Sequence, residues 1–271
     1  MKRLSWLFFG LALFAMLYTP ADGQEKKGDP KAPLKAPAPS FKHLDGQNLV
    51  FVANGVGGST VVSDNLMELN EAMHLHLRIC AVPWTRHNAL FQDLDDHVAQ
   101  LGAAQRLAGH VAAIRKDAPN AHIFFVGHSA GTRVVLAAAE MLPEKSVDRI
   151  ILLASAVSYS YDLTGALKAS RYGIDHFYST EDGILDSAVE HKGTADGLKV
   201  QAAGRIGFRP CSTDKKDLEA YRSVRQYRWT AEWHGNGGHF TWTLQHNMKK
   251  TVVPMFFTPP PEPAPIVVKK K

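Results

Sequence analysis

The sequence predicts an α/β domain: a mostly parallel central sheet with helices on both faces and little or no cap. Three observations carry this. Short apolar runs occur at 49–52, 123–126 and 150–153, with a weaker one at 77–82. None of them alternates polar with apolar residues, so each suits a strand buried on both faces, as parallel strands are under covering helices. Segments with helical periodicity separate these runs, and this alternation is the signature of a parallel sheet built from crossover units.

The elements follow in order. A strand at about 49–53 leads to a helix at about 65–75 and a second strand at 77–82. A long helix is expected from Asp93 to Lys116, where Leu94, Val98, Leu101, Ala104, Ala108, Val111 and Ile114 recur at spacings of three and four; Pro119 and Asn120 end it. A strand at 122–127 runs into a helix at 130–142 that is small and apolar nearly all round, and so should be buried; Pro143 ends it. A strand at 149–154, a short helix at 163–169 and a strand at 175–179 come next. After a long irregular stretch, a strand at 223–229 and a final helix at 240–250 close the domain. Only about twenty residues separate the strands at 149–154 and 175–179, against a much longer piece at 183–222.

The ends of the chain have a different composition. Residues 1–23 begin with Lys2 and Arg3, continue through an apolar run from Leu4 to Tyr18 and finish on Ala21-Asp22-Gly23. This is the pattern of a secretory signal peptide. Its apolar run is shorter than the roughly 20 residues that span a bilayer, so the expectation is a secreted or periplasmic protein. Residues 24–42 are a Pro/Lys-rich linker, 43–258 the folded domain and 259–271 a second Pro/Lys-rich tail. Of the formal net charge of +5, the leader carries +1, the linker +3 and the tail +2, which leaves −1 for the domain. The basic balance is thus a property of the tails. It allows contact with an anionic envelope surface and gives no ground for nucleic-acid binding. Cys80 and Cys211 are the two cysteines. An exported chain could pair them, but spacing alone does not decide it.

The chemistry concentrates where the predicted strands end, the edge at which such sheets bind ligands. Gly127-His128-Ser129-Ala130-Gly131 joins a buried strand to a buried helix. A chain that turns this sharply needs small residues two positions either side of the corner, and it lifts the corner hydroxyl clear of the sheet. Ser129 is therefore the candidate nucleophile. A serine needs a base and a group to orient that base. The glycine-rich loop before His239 makes His239 the leading base, with His234 as the alternative. Asp182, just past the strand at 175–179, is the leading acid, with Glu181 and Asp186 as alternatives. The loop Asn54-Gly55-Val56-Gly57-Gly58-Ser59 and the backbone after Ser129 are expected to stabilise an oxyanion. No nucleotide-binding glycine motif follows that loop. His74 and His76 read as solvated or packed, His128 as packed or lining the site, and Trp84 and Phe240 as candidate apolar lining or core. No metal or organic cofactor is expected.

The segments VANGVGG, FFVGHSAGT, HFYSTED and HGNGGHF together resemble, in order, the oxyanion loop, nucleophile elbow, acid turn and histidine loop of the α/β-hydrolase superfamily, over about residues 48–254. The chain is similar to uncharacterised exported bacterial hydrolase-like proteins with GHSAG and GGH motifs. The resemblance implies Ser129 as nucleophile, Asp182 as acid, His239 as base, and the amides of Val56 and Ala130 as the oxyanion hole. It departs from the His-Gly-Gly-Gly loop of many lipases, because Asn54 stands where the histidine would. The expected activity is cleavage of a carboxylic ester, small-molecule or lipid, through an acyl-enzyme. The competing expectation is a non-catalytic module on the same fold that binds the cell envelope.

Overall fold

The computed structural model describes residues 40–86, 90–211 and 214–260. The leader at 1–23, most of the linker and the tail from 261 lie outside the described residues. Six parallel strands form one sheet: β1 (Asn48–Ala53), β2 (Arg78–Ala81), β3 (His122–His128), β4 (Arg149–Leu153), β5 (Ile174–Tyr178) and β6 (Val224–Arg228), in the spatial order β2-β1-β3-β4-β5-β6. Side chains alternate between two apolar layers. Leu49, Phe51, Ile123, Phe125, Ile150 and Leu152 join one layer; Val50, Val52, Phe124, Val126, Ile151 and Leu153 join the other. The central strands are apolar on both faces because both faces are covered.

Helix α1 (Val61–Met73) covers one face, together with α9 (Gln245–Lys250) and the short turns around Trp242 and Phe256. The other face is covered by α3 (His97–Asp117), α4 (Gly131–Glu140) and α5 (Thr164–Ala169). Between β4 and β5, α5 is the one helix, so no large cap enters there. Helix α4 is buried along nearly its whole length, as its all-round apolar composition requires. Among the described residues no helix is long and apolar enough to cross a membrane.

The structure corrects several expectations. The helix expected from Asp93 to Lys116 is two helices, α2 (Leu90–Leu94) and α3, because Asp96 caps α3 by accepting the Ala99 N–H. Of the expected stripe, Val98 and Leu101 in the first turns of α3 face outward at 74% and 37% exposure, whereas Ala104, Ala108, Val111 and Ile114 are buried. Gln100, Ala103 and Leu107 are buried beside them. Residues 183–222 are not irregular: they hold α6 (Gly183–Lys192), α7 (Ala203–Ile206) and α8 (Lys215–Tyr221). The first helix starts at Val61 rather than 65, and the last is a 3₁₀ turn at Thr241–Thr243 followed by α9. Phe41, assigned to the linker by composition, is buried; its N–H donates to Asp117 and its ring meets His110 edge-on. Cys80 and Cys211 are free thiols, and burial pushes the Cys80 thiol up to about 12.

Candidate active site

The turn from β3 into α4 is built by close approach. A Cβ on Gly127 would lie 2.7 Å from Val135 Cγ2 and 2.8 Å from Thr132 Cα, inside the first turns of α4. One on Gly131 would lie 2.2 Å from the Ala53 carbonyl oxygen and 2.3 Å from that of Asn54, at the end of β1. Only glycine fits at either place. Between them Ser129 has φ of 53°, in the left-handed region that a side-chain-bearing residue seldom occupies. The surroundings hold it there. Its N–H donates to the Leu153 carbonyl at 3.0 Å, and its carbonyl accepts from the N–H groups of Thr132 and Ala156 and from the Thr132 hydroxyl at 2.6 Å.

Asp182 and His239 meet at the same edge of the sheet. Asp182 is 1% exposed and His239 6%. Asp182 Oδ2 accepts a 2.7 Å hydrogen bond from His239 Nδ1, while its Oδ1 accepts the Leu185 N–H at 3.0 Å and so caps α6. The carboxylate is thereby locked from both sides. The competing acids are elsewhere: Glu181 is exposed and bonded to the Thr180 hydroxyl, and Asp186 pairs with Arg205. His234 is exposed and stacks on His246, with ring centroids 3.6 Å apart.

His128 connects the two halves of the site. It is buried beside Ser129, stacks near His239 with centroids 4.9 Å apart, and donates from Nε2 to the His239 carbonyl at 3.3 Å. Burial, with the nearby His239 adding to it, lowers its pKa to about 3, so the ring is neutral. Ser129 Oγ has no hydrogen-bond partner among the described residues. A Cβ at position 55 would lie 3.1 Å from His128 Nδ1 and 3.4 Å from Ser129 Cβ, a tight fit against both side chains.

The loop after β1 lies beside the elbow because Ala53 pairs with Gly127 in the sheet. Asn54 has a structural task here. Its Oδ1 accepts the N–H groups of Val62 and Ser63, and its Nδ2 donates to the Ser63 hydroxyl, which caps α1 from outside the helix. Neither Val56 nor Ala130 donates its backbone N–H to another described residue. The Gly57 N–H, by contrast, is spent on Asp93. Asp93 reads in the sequence only as the start of a helix; one acid in a polar stretch carries no signal that it holds this loop. Trp84 is core, with its Nε1 donating to the Asn54 carbonyl, whereas Phe240 is 46% exposed. His74 and His76 are exposed and have φ of 51° and 57°; His74 ends α1 in a left-handed C-cap. An open cavity of about 780 Å³ adjoins His239, with Glu181, Ile184, Asn236, Phe240 and Leu244 in its wall.

The family described as the T6SS Tle3 phospholipase effector domain matches residues 73–191, a span that runs from the end of α1 through Ser129 and Asp182 and stops before His239. A strained serine between two obligatory glycines, after the third strand of an all-parallel sheet in this order, is the arrangement of the α/β-hydrolase fold. The chain is an α/β hydrolase by fold. A comparison with curated protein sequences gives no match. Among solved structures, it is similar to a predicted CIB-like hydrolase from Thermoplasma acidophilum, at 14% identity and a TM-score of 0.46, over 78% of this chain and 86% of that one. The ydeN gene product of B. subtilis is similar at 15% identity and 0.46, over 78% and 99%. The catalytic core of acetyl xylan esterase from Trichoderma reesei is similar at 12% and 0.44, over 77% and 96%. The assignment of this hydrolase fold rests on its own strand order and elbow.

Proposed function

We propose that the protein is an exported serine hydrolase that cleaves a carboxylic ester through an acyl-enzyme, with Ser129 as nucleophile, His239 as base and Asp182 as the acid that orients it. The observation that carries this reading is the buried 2.7 Å bond between Asp182 and His239 beside a serine held in a strained turn. Asp182 keeps the Nδ1–H tautomer of His239, which leaves Nε2 to take the proton as Ser129 attacks the carbonyl. The amides of Ala130 and Val56, unspent within the described residues, receive the developing oxyanion. His239 returns the proton to the leaving alcohol, and water then releases the acid by the reverse sequence. Ser129 Oγ and His239 are not hydrogen-bonded in the free protein; that bond forms in the substrate complex, where catalytic hydrogen bonds commonly reach their working geometry. These groups complete the reaction without a metal or cofactor.

The half-exposed Ile184, Phe240 and Leu244 beside His239 suit an apolar portion of the substrate. The phospholipase description of the matching family makes a phospholipid ester the class to test first. Export is supported by the leader pattern in residues 1–23 and by the effector description of that family. The test is hydrolysis of short- and long-acyl esters and of phospholipid vesicles by the purified protein. The parent should turn over at least one class, and Ser129→Ala none. Asp182→Asn should lose about 10⁴-fold in kcat, the loss seen when the acid of another serine hydrolase becomes an amide. A folded parent inert toward all of them, or Ser129→Ala at the parental rate, would contradict the reading.

A further inference from the structure

We propose that Asp93 and Trp84 are positioning residues that clamp the oxyanion loop, fixing the one peptide that carries the Val56 N–H. The inference rests on the serine-hydrolase reading above. Both contacts fall on the loop's backbone. Trp84 Nε1 donates to the Asn54 carbonyl oxygen at 2.8 Å, which pins the peptide between residues 54 and 55. Asp93 Oδ2 accepts the Gly57 N–H at 2.8 Å, which pins the peptide between residues 56 and 57. One peptide lies between these two planes, that of Gly55 and Val56, and its N–H is the proposed oxyanion donor. A loop with glycines at 55, 57 and 58 has no intrinsic stiffness, and an oxyanion donor works only if it is aimed before the reaction begins. The clamp supplies that aim from outside the loop.

The clamp is itself anchored. Asp93 is fully buried, and its Oδ1 also accepts the Arg86 N–H at 3.1 Å. Gln100, fully buried on α3, donates to the carbonyls of Asp93 and Leu94 at 3.1 and 2.9 Å and so ties α2 to the core helix. Trp84 is 4% exposed, and its ring packs in the same core layer as α3. The Gly57 N–H taken by Asp93 is also withdrawn from the site, which leaves the donor set to its neighbours. A purely structural role for Asp93 would be met by any pairing of its carboxylate; the two contacts that bracket Val56 are what such a role does not require.

The test uses Asp93→Asn, which leaves one oxygen for two N–H donors, and Trp84→Phe, which removes only the indole donor. Each is compared with the parent for kcat, KM, affinity for a trifluoromethyl ketone that forms a tetrahedral oxyanion on serine, and melting temperature. The expected result is a fall in kcat on the order of tenfold to 10³-fold, bounded by the loss of a whole oxyanion donor. KM should stay within about twofold, and the ketone should weaken in parallel with kcat. Folded variants at parental kcat and ketone affinity, or a lowered melting temperature with unchanged kcat, would overturn the clamp. If Asp93→Asn does not fold, Trp84→Phe decides by the same readouts. A parent that neither hydrolyses esters nor binds the ketone would overturn the hydrolase reading, and the clamp with it.

Discussion

Ser129 is the residue on which the site turns, and its strain is paid for locally. A φ of 53° costs on the order of 1–3 kcal/mol for a residue with a side chain. Four hydrogen bonds to the Ser129 backbone, from both β4 and α4 directions, hold it. Asp182 shows how one side chain serves two ends: one oxygen caps α6, the other meets His239. Ser129, Asp182 and His239 were legible as candidates because each sits against glycines or a strand end, and those signals are local. Asn54 was legible only as a departure from the lipase pattern. Its reason is α1, whose first N–H groups it satisfies across the loop, and no pairing of that kind shows in the order of residues. Asp93 and Trp84 were illegible as partners of the loop for the same cause, since 36 and 30 positions separate them from what they hold.

At the scale of the element, the elbow depends on Gly131 more than on any apolar residue of α4. A methyl group there meets two backbone carbonyls, and backbone cannot swing aside as a side chain can. Gly131→Ala should cost 1–3 kcal/mol or more, the range for overpacking a tight core, and lower the melting temperature by several degrees. Gly109→Ala is the control: nothing lies within 4 Å of its Cβ position on the exposed side of α3. There the substitution should leave the melt unchanged or raise it slightly. Equal melts for the two variants would contradict the close-approach account. Strands β1, β3 and β4 and the buried α4 could be read from the sequence because burial on both sides leaves continuous apolar runs, whereas the edge strand β6, VRQYR, is half exposed and carries no such run. The first turns of α3 could not be read, because the helix begins anew at the Asp96 cap and a buried polar residue, Gln100, stands there in its core stripe. Helices α6 and α7 bury little apolar surface of their own and take their positions from the Asp182 cap and from Gly204, which packs against Ala154 and Ser155.

Over the whole molecule, a buried ion pair sits at the starts of β4 and β5, and neutral imidazoles sit in the core of the sheet. Arg149 pairs with fully buried Asp175 and also holds the Thr258 carbonyl, so it ties the C-terminal turn to β4 and β5. His176, buried in β5 against Phe208 and Tyr178, is held by burial at a pKa of about 3, as His128 is. In the unfolded chain a histidine takes up its proton near pH 6.5. Between about pH 6.5 and 3 the unfolded state therefore binds more protons than the folded one. The stability is complete above that window and is lost as pH falls through it, by about 1.4 kcal/mol per pH unit for each ring. His176→Leu should flatten the dependence of urea-unfolding free energy on pH between 7 and 4 by about one proton; an unchanged slope would contradict a neutral buried ring. The parallel sheet brings the ends of β3, β5 and β6 to one edge, where the candidate residues 129, 182 and 239 lie although they come from distant parts of the chain.

The most direct test of the central claim is to expose the protein to a fluorophosphonate probe and locate the label by peptide mass spectrometry, with His239→Ala alongside. An activated serine predicts a single label on Ser129 in the parent and its loss in His239→Ala. A folded parent that takes no label at Ser129, or labelling that survives the loss of His239, would contradict it.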